Sequence, residues 1–338
     1  EQRWPCCATS LPACQASRVH YPSTALPPLL VPLSLRWLSS VAENTILLNS
    51  MMTRLLFSLL IVVLLLTGCR QQSPMPQENS IYYWRTEWRL DSLERDFLKQ
   101  YDIHKVYCRY FDVVMRNNEP MPNATISFTE PIAPSLSIVP TVYITENCMH
   151  SEHKGLAERI VERIVQMNET NDVKNVKEIQ IDCDYTGRSL KTYYAFLEEV
   201  RTTARQHDMR LSTTIRLHQL SMEVPPADYG VLMLYNTGNP EKYAERNPIL
   251  DIRDVMLYIS KLDDYALPLA AAYPVYLWQR TIYGVHVDHW VEADEILKVK
   301  DVVEEKRPEL RRTILTYHLD KENIKRYTSE TYETIYHH

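Results

Sequence analysis

The chain has 338 residues, with 37 Lys and Arg against 43 Asp and Glu, and nothing in its formal net charge of −6 suggests nucleic acid as a partner. Apolar residues make up 45% of it, enough for a sizeable core, and with 6 glycines in all there is no glycine-rich phosphate turn. P-loop, zinc-ligand spacing, Gly-x-Ser-x-Gly elbow and internal repeat are likewise missing from the sequence.

Residues 1–50 are rich in Pro, Ser and Leu, show no sustained period and precede a complete secretion signal beginning at Met51. They are expected to be a wrongly extended, translated leader rather than a domain. In residues 51–68, Arg54 supplies the positive flank and Leu55 to Leu66 an apolar run. That run falls short of the roughly 20 residues a membrane span needs, and it suits a signal peptide. Leu66-Thr67-Gly68-Cys69 reads as a lipobox, so Cys69 is the expected lipidation site of a bacterial lipoprotein. Residues 69–80, polar and Pro-containing, form its tether. The expected location is the cell envelope, with the protein held on a membrane by its lipid and exposed to the periplasm or the cell surface.

Residues 81–338 are expected to form one domain in which strands and helices alternate. Ile81 to Trp84 is the first strand, followed by a helix over Glu87 to Tyr101 with Leu90, Leu93 and Phe97 at helical spacing. Strands two and three are Lys105 to Val113 and Ile138 to Thr145, separated by a Pro-rich stretch without helical pattern. A helix over Ser151 to Met167 leads to strand four, Glu178 to Tyr185. A helix over Ser189 to Gln206 leads to strand five, Arg210 to Leu217. Strand six is Tyr229 to Tyr235, with a helix near Ile249 to Asp263. Strands seven and eight are Ala266 to Tyr273 and Arg312 to His318, and a last helix begins near Lys321. Eight such units in this length predict a (β/α)8 barrel of the TIM type, with an open α/β sheet as the alternative.

Reactive residues of such barrels lie at the C-terminal strand ends. In strand four, Ile179, Ile181 and Cys183 alternate with Gln180, Asp182 and Asp184, and the two-residue period sends the polar set inward. Buried carboxylates need a partner. Strand five offers Arg216, so an Asp–Arg brace is one reading of Asp182, while Asp184 lies nearer the mouth. Other polar strand ends are Asp112, Glu146, Tyr235, Asn236, Tyr273, Trp278 and His318. Acids with Tyr and Trp at one barrel end make a sugar-site composition. Asp184, Glu146 and Asp182 are the catalytic candidates, and Arg216, Tyr235, Asn236, Tyr273, Trp278, His318 and Asp112 the substrate-binding ones. No cofactor is implied, although Asp182, Asp184 and Glu146 together offer oxygen ligands of the kind Ca2+ or Mg2+ takes. Cys108 and Cys183 fit a core, and Cys148 sits in a loop-like stretch.

Asp182-Cys183-Asp184 closing strand four resembles the Asp-x-x-Asp-x-Asp-x-Glu strand of family 18 chitinases, whose last Glu protonates the glycosidic oxygen. Aligned on that pattern, Thr186 stands at the Glu position and Ile179 at the first Asp. A longer stretch, residues 178 to 238, resembles the bacterial family of domain of unknown function 3142. Its residues include Gln180-Ile-Asp182-Cys-Asp184, Tyr193, Arg201, Leu211-Ser212-Thr213-Thr214 and Val231 to Gly238. The resemblances imply a glycosidase-like barrel acting on or binding a carbohydrate. Two readings stay open: a glycoside hydrolase with Glu146 in place of the absent acid, or a non-catalytic barrel that binds glycan or protein.

Overall fold

The computed structural model describes residues 75–238, 246–282 and 285–337, together with Arg54. The leader, the apolar run of the signal peptide and the lipidation position Cys69 lie outside the described residues. Eight parallel strands close into a barrel: β1 (Glu78–Tyr83), β2 (Ile103–Arg116), β3 (Ser137–Ile144), β4 (Glu178–Asp182), β5 (Arg210–Arg216), β6 (Tyr229–Met233), β7 (Leu269–Pro274) and β8 (Thr313–Tyr317). Each pairs with its neighbours in sequence, and β1 pairs with both β8 and β2, which leaves no open edge. The fold is a (β/α)8 barrel.

The outer layer holds α1 (Ser92–Gln100), α2 (Leu156–Thr170), α3 (Leu190–Gln206), α4 (Ile252–Met256), α5 (Ala293–Lys306), α6 (Lys321–Ile324) and α7 (Ser329–Tyr336). α1 starts later than its apolar spacing suggests, because Asp91 and Glu94 form a reciprocal capping box there. Glu87–Trp88 before it is extended and pairs with Ser127–Phe128. Between β2 and β3 there is no helix: the chain turns back as an antiparallel strand, Glu119–Asn123, along the end of β2. α5 was hidden from pattern reading, as was the hairpin Trp278–Ile282 with Val285–His289 that precedes it. α7 seals the seam between the first and last strands. The Tyr336 hydroxyl lies 2.5 Å from Thr316 Oγ1, and Tyr332 packs edge-on against Phe97 of α1.

The barrel interior is filled largely by polar side chains that find partners across the axis. Tyr82 of β1 donates to Gln180 Oε1 of β4 at 3.0 Å, and the hydroxyls of Tyr107 and Tyr229 meet at 3.0 Å between β2 and β6. At the foot, the end where the strands begin, Lys105 Nζ lies 2.8 Å from Glu78 and 2.9 Å from Glu178. Burial disfavours the charged amine, but the two carboxylates outweigh it and its pKa is raised. The outward faces of β4 and β5 meet α3, where the Tyr193 hydroxyl lies 2.7 Å from Thr213 Oγ1. Cys108, Cys148 and Cys183 are buried free thiols, Cys148 within a short 3-10 turn, Glu146–Met149.

Removing Lys105 strands Glu178, which is 2% exposed, without its cation. Lys105→Met is therefore expected to lower the unfolding free energy by about 3–5 kcal/mol in urea titrations, and adding Glu178→Gln to recover most of the loss. Equal stability of the single variant and the wild type would show that the foot does not depend on this charge pair.

Candidate functional site

The C-terminal ends of the strands form a mouth with two Asp–Arg clusters and an aromatic wall. Asp182 ends β4 and is 3% exposed. Thr214 Oγ1 donates to its Oδ1 at 2.6 Å and Arg216 Nη2 stands 3.6 Å away. Burial pushes the Asp182 carboxyl above its ordinary range and the neighbouring Asp184 adds to this, while Arg216 and the Thr214 hydroxyl oppose the shift. Asp184, two residues on, has its side chain half exposed and pairs with Arg216 Nε. One guanidinium thus serves both carboxylates, and it also lies 6.0 Å from the Tyr235 ring centroid.

The second cluster is Arg109 with Asp112, whose Oδ1 lies 2.8 Å from Arg109 Nε. Strict alternation along β2 would put these two residues on opposite faces. A register shift between Arg109 and Phe111, where β2 pairs with β3, inserts one residue and turns Asp112 back toward Arg109. Arg109 also covers Trp84, its guanidinium carbon 5.6 Å from the ring.

Tyr317, the last residue of β8, centres the aromatic wall. Its ring stacks on Tyr235 at 4.8 Å and 28° and contacts Tyr276 at 5.3 Å, Tyr82 at 5.5 Å and Trp84 at 5.7 Å. Trp84, Tyr276 and Tyr317 are partly exposed, whereas Tyr82 and Tyr235 are buried behind them. The Tyr235 hydroxyl is buried with no hydrogen-bond partner among the described residues. Burial raises its pKa, so the phenol keeps its proton and stays a donor. Asn236, in the left-handed region at φ 53°, accepts from the Tyr276 hydroxyl at 2.5 Å.

The remaining sequence candidates are Glu146, Tyr273, Trp278 and His318. Glu146 opens the 3-10 turn after β3, and its carboxylate accepts from Thr186 Oγ1 at 2.5 Å and Ser189 Oγ at 2.9 Å. These two hydroxyls belong to the loop between β4 and α3; Thr186 is the largest influence holding the Glu146 pKa below the usual carboxylate range. Tyr273 faces the helix layer, donating to Glu304 of α5 at 3.3 Å, and is fully buried there. It is not at the mouth: in β7 the inward positions fall to Ala270 and Ala272, small residues opposite a tyrosine-filled interior. Trp278 begins the hairpin after β7 and packs near His289 at 5.9 Å. His318 follows Tyr317, with which it shares a cis peptide bond; its ring meets Tyr317 edge-on at 5.1 Å, and burial lowers its pKa.

Trp84, Arg109, Tyr143, Tyr276 and Tyr317 belong to the mouth without having been singled out by sequence. Tyr317 has a legible signal, since it keeps the inward parity of Thr313 and Leu315. Tyr143 pairs in register with Asp182, and its phenol is pushed up to about 12, first by burial and then by Asp184 and Asp182. Among the described residues no group of three or more His, Cys, Asp or Glu side chains is placed to hold a metal ion, and Asp182, Asp184 and Glu146 form no such group.

No family model and no curated protein matches the chain. Among solved structures, a class V chitinase from Pseudomonas fluorescens shares 11% identity over 78% of this chain and 98% of its own, with a TM-score of 0.52. A spore cortex-lytic enzyme from Bacillus megaterium matches at 11% identity over 73% and 71%, with a TM-score of 0.49. A chitinase from Chromobacterium violaceum matches at 12% over 74% and 97%, with a TM-score of 0.47. At such identity the likeness to the Pseudomonas protein establishes a shared barrel fold.

Arg216→Met would leave Asp182 buried beside Asp184 without a cation. The native-state pKa of Asp182 would then stand still further above the unfolded value of about 3.9. A carboxyl with a raised native pKa withdraws stability as pH rises, so the variant's deficit relative to the wild type should grow between the wild type's native Asp182 pKa, itself above the unfolded value, and the variant's higher one, and then level off. Denaturant melts from pH 4 to 8 read this directly. Adding Asp182→Asn should flatten the profile, and a deficit independent of pH would contradict the assignment.

Proposed function

We propose that the mouth binds a glycan without cleaving it, on a protein anchored by a lipid at Cys69 in a bacterial cell envelope. The observation that carries this reading is the commitment of four carboxylates at the described strand ends, Asp112, Asp182, Asp184 and Glu146, beside an exposed aromatic wall. Asp112 is held by Arg109, Asp184 and Asp182 by Arg216, and Glu146 by Thr186 and Ser189. Glycosidic cleavage requires a carboxylic acid that holds its proton near the scissile oxygen. Glu146 has its pKa lowered; Asp182 has its pKa raised by burial, but it is 3% exposed and lies beneath Arg216. Thr186, at the position of the family 18 acid, has no proton to give in that pH range.

Binding needs less. Trp84, Tyr276 and Tyr317 present faces on which sugar rings stack, with Tyr82 and Tyr235 buried behind them. The resemblance of residues 178 to 238 to domain of unknown function 3142 is part of this proposal, and so is the carbohydrate class. Because a solved neighbour of the same fold is named as a chitinase, chitooligosaccharides are the first ligands to try. A hydrolytic reading has one observation in its favour: the Glu146 carboxylate reaches the Thr186 hydroxyl, the place where the family acid would stand.

Calorimetric titration of the detergent-solubilised protein with chitooligosaccharides and peptidoglycan fragments tests the proposal, alongside an assay for new reducing ends. Tyr317→Ala should weaken binding about tenfold, as loss of one aromatic contact implies. Glu146→Gln should bind like the wild type, and neither protein should release reducing ends. Turnover by the wild type that disappears in Glu146→Gln would replace this reading with the hydrolase.

A further inference from the structure

The missing helix between β2 and β3 leaves a hollow on the outside of the barrel. In the regular fold a helix there would cover β2 and pack on the flank of α2. Here the chain returns as the thin strand Glu119–Asn123, with Pro122 in register with Val113 and Met121 with Val114. Between that strand and α2 lies a cavity of about 570 Å³. Small-molecule sites commonly enclose roughly 300–1,000 Å³. Its apolar wall is Phe111 and Val113 from the outward face of β2, Leu156 and Ile160 from α2, and Met121 from the returning strand. Met121 is 46% exposed, so this wall is open to a ligand from solvent.

Arg163 stands on the same face of α2, seven residues after Leu156. Its Nη2 donates to Thr125 Oγ1 at 3.1 Å, and its guanidinium carbon lies 5.1 Å from the centre of the Phe111 ring. Arg109 and Arg216 each hold a carboxylate, but Arg163 forms no ion pair among the described residues. Its Nε is shut away from water without an acceptor. The cation is therefore partly desolvated with no anion to offset the cost. Glu162 and Glu169, the acids that line the cavity, are exposed.

The two ends of the hollow differ. From Arg163 back to Leu156, α2 rises about 10 Å, and that half carries the apolar wall. Beyond Arg163 the lining turns polar, with Gln166, Glu169 and His207. A cation at the middle of a helix flank, with an apolar channel on one side only, fits a straight apolar chain that ends in one negative charge.

We propose that this cavity binds a linear alkyl carboxylate of medium chain length. The carboxylate sits on the Arg163 guanidinium, and the chain runs along α2 past Ile160 and Met121 toward Leu156. The site lies outside the barrel, apart from the mouth, and does not depend on the glycan reading.

Calorimetric titration with octanoate tests it, on the purified protein in phosphatidylcholine nanodiscs, because detergent would compete for an apolar site. Empty discs supply the blank for partition into lipid. Octanoate is expected to bind saturably, and octanamide, the same chain without the charge, at least about tenfold more weakly. Arg163→Met keeps a side chain over Phe111 and should show a similar loss, which Arg163→Lys should partly restore. Met121→Glu changes an exposed residue and should also weaken octanoate, by setting a like charge on the wall. Thermal melts check that each variant is folded, and the amide comparison decides the charge requirement without any variant. Absence of saturable binding above the blank, equal affinity for octanoate and octanamide, or wild-type affinity in folded Arg163→Met would overturn the proposal. So would light scattering that finds a dimer dissociated by Met121→Glu, since a second copy would then occupy the hollow.

Discussion

Closing eight strands into a barrel removes the interior from water, and every polar group pointing inward must then be satisfied by another strand. This chain meets that constraint with long side chains that cross the axis. Tyr82 reaches Gln180, Tyr107 reaches Tyr229, and Lys105 joins Glu78 to Glu178. Such links fix which strand faces which, because a slip of one residue would turn each partner into the helix layer. Alanines at 270 and 272 make room for the tyrosines in the way that small and large residues alternate in tapered barrels. The polar interior thus sets strand register and also explains why the foot carries charge.

The same logic carried to the mouth produces the Arg216 arrangement. Asp182 is too deep to be hydrated, and a carboxylate there needs both a hydroxyl and a cation. Thr214 and Arg216 occupy alternate positions of one strand, so a single element supplies both. Arg216 is long enough to continue to Asp184 at the surface. An arginine is suited to this because its guanidinium presents several donors in one plane and does not lose its charge.

Alternation made strands four and five legible from residues alone, since their polar and apolar sets separate cleanly and both lie in the closed part of the sheet. The Asp182, Asp184 and Arg216 grouping followed from that. Where alternation breaks, legibility ends. The one-residue bulge in β2 hid the Arg109–Asp112 pair, and Tyr273 read as a mouth residue although its parity turns it toward α5. α5 escaped because its apolar spacing is interrupted by Lys300 and Glu304, which bury themselves as a pair with Nζ to Oε1 at 2.6 Å. The helix missing between β2 and β3 was visible as an absence of period, but nothing in the sequence announced that a returning strand would take its place.

On the proposed binding reading, what separates this mouth from a hydrolytic one is where a proton can reside, since Asp182, whose pKa burial raises, is 3% exposed and lies under Arg216. In a glycosidase the acid is kept neutral by an apolar pocket or a like charge, so that it can release its proton to a leaving oxygen. Glu146 has the reverse environment: two hydroxyls donate to one carboxylate oxygen, and each stabilises the charged form. Thr186 is one of those donors, and so favours the ionised form of Glu146. On the proposed reading, Thr186 in the acid's place and an ionised Glu146 beside it each withhold a proton donor. The aromatic wall depends on neither effect, because stacking on Tyr317, Tyr276 and Trp84 requires only their faces. On that reading a sugar is held at Tyr317 with no proton donor at position 186.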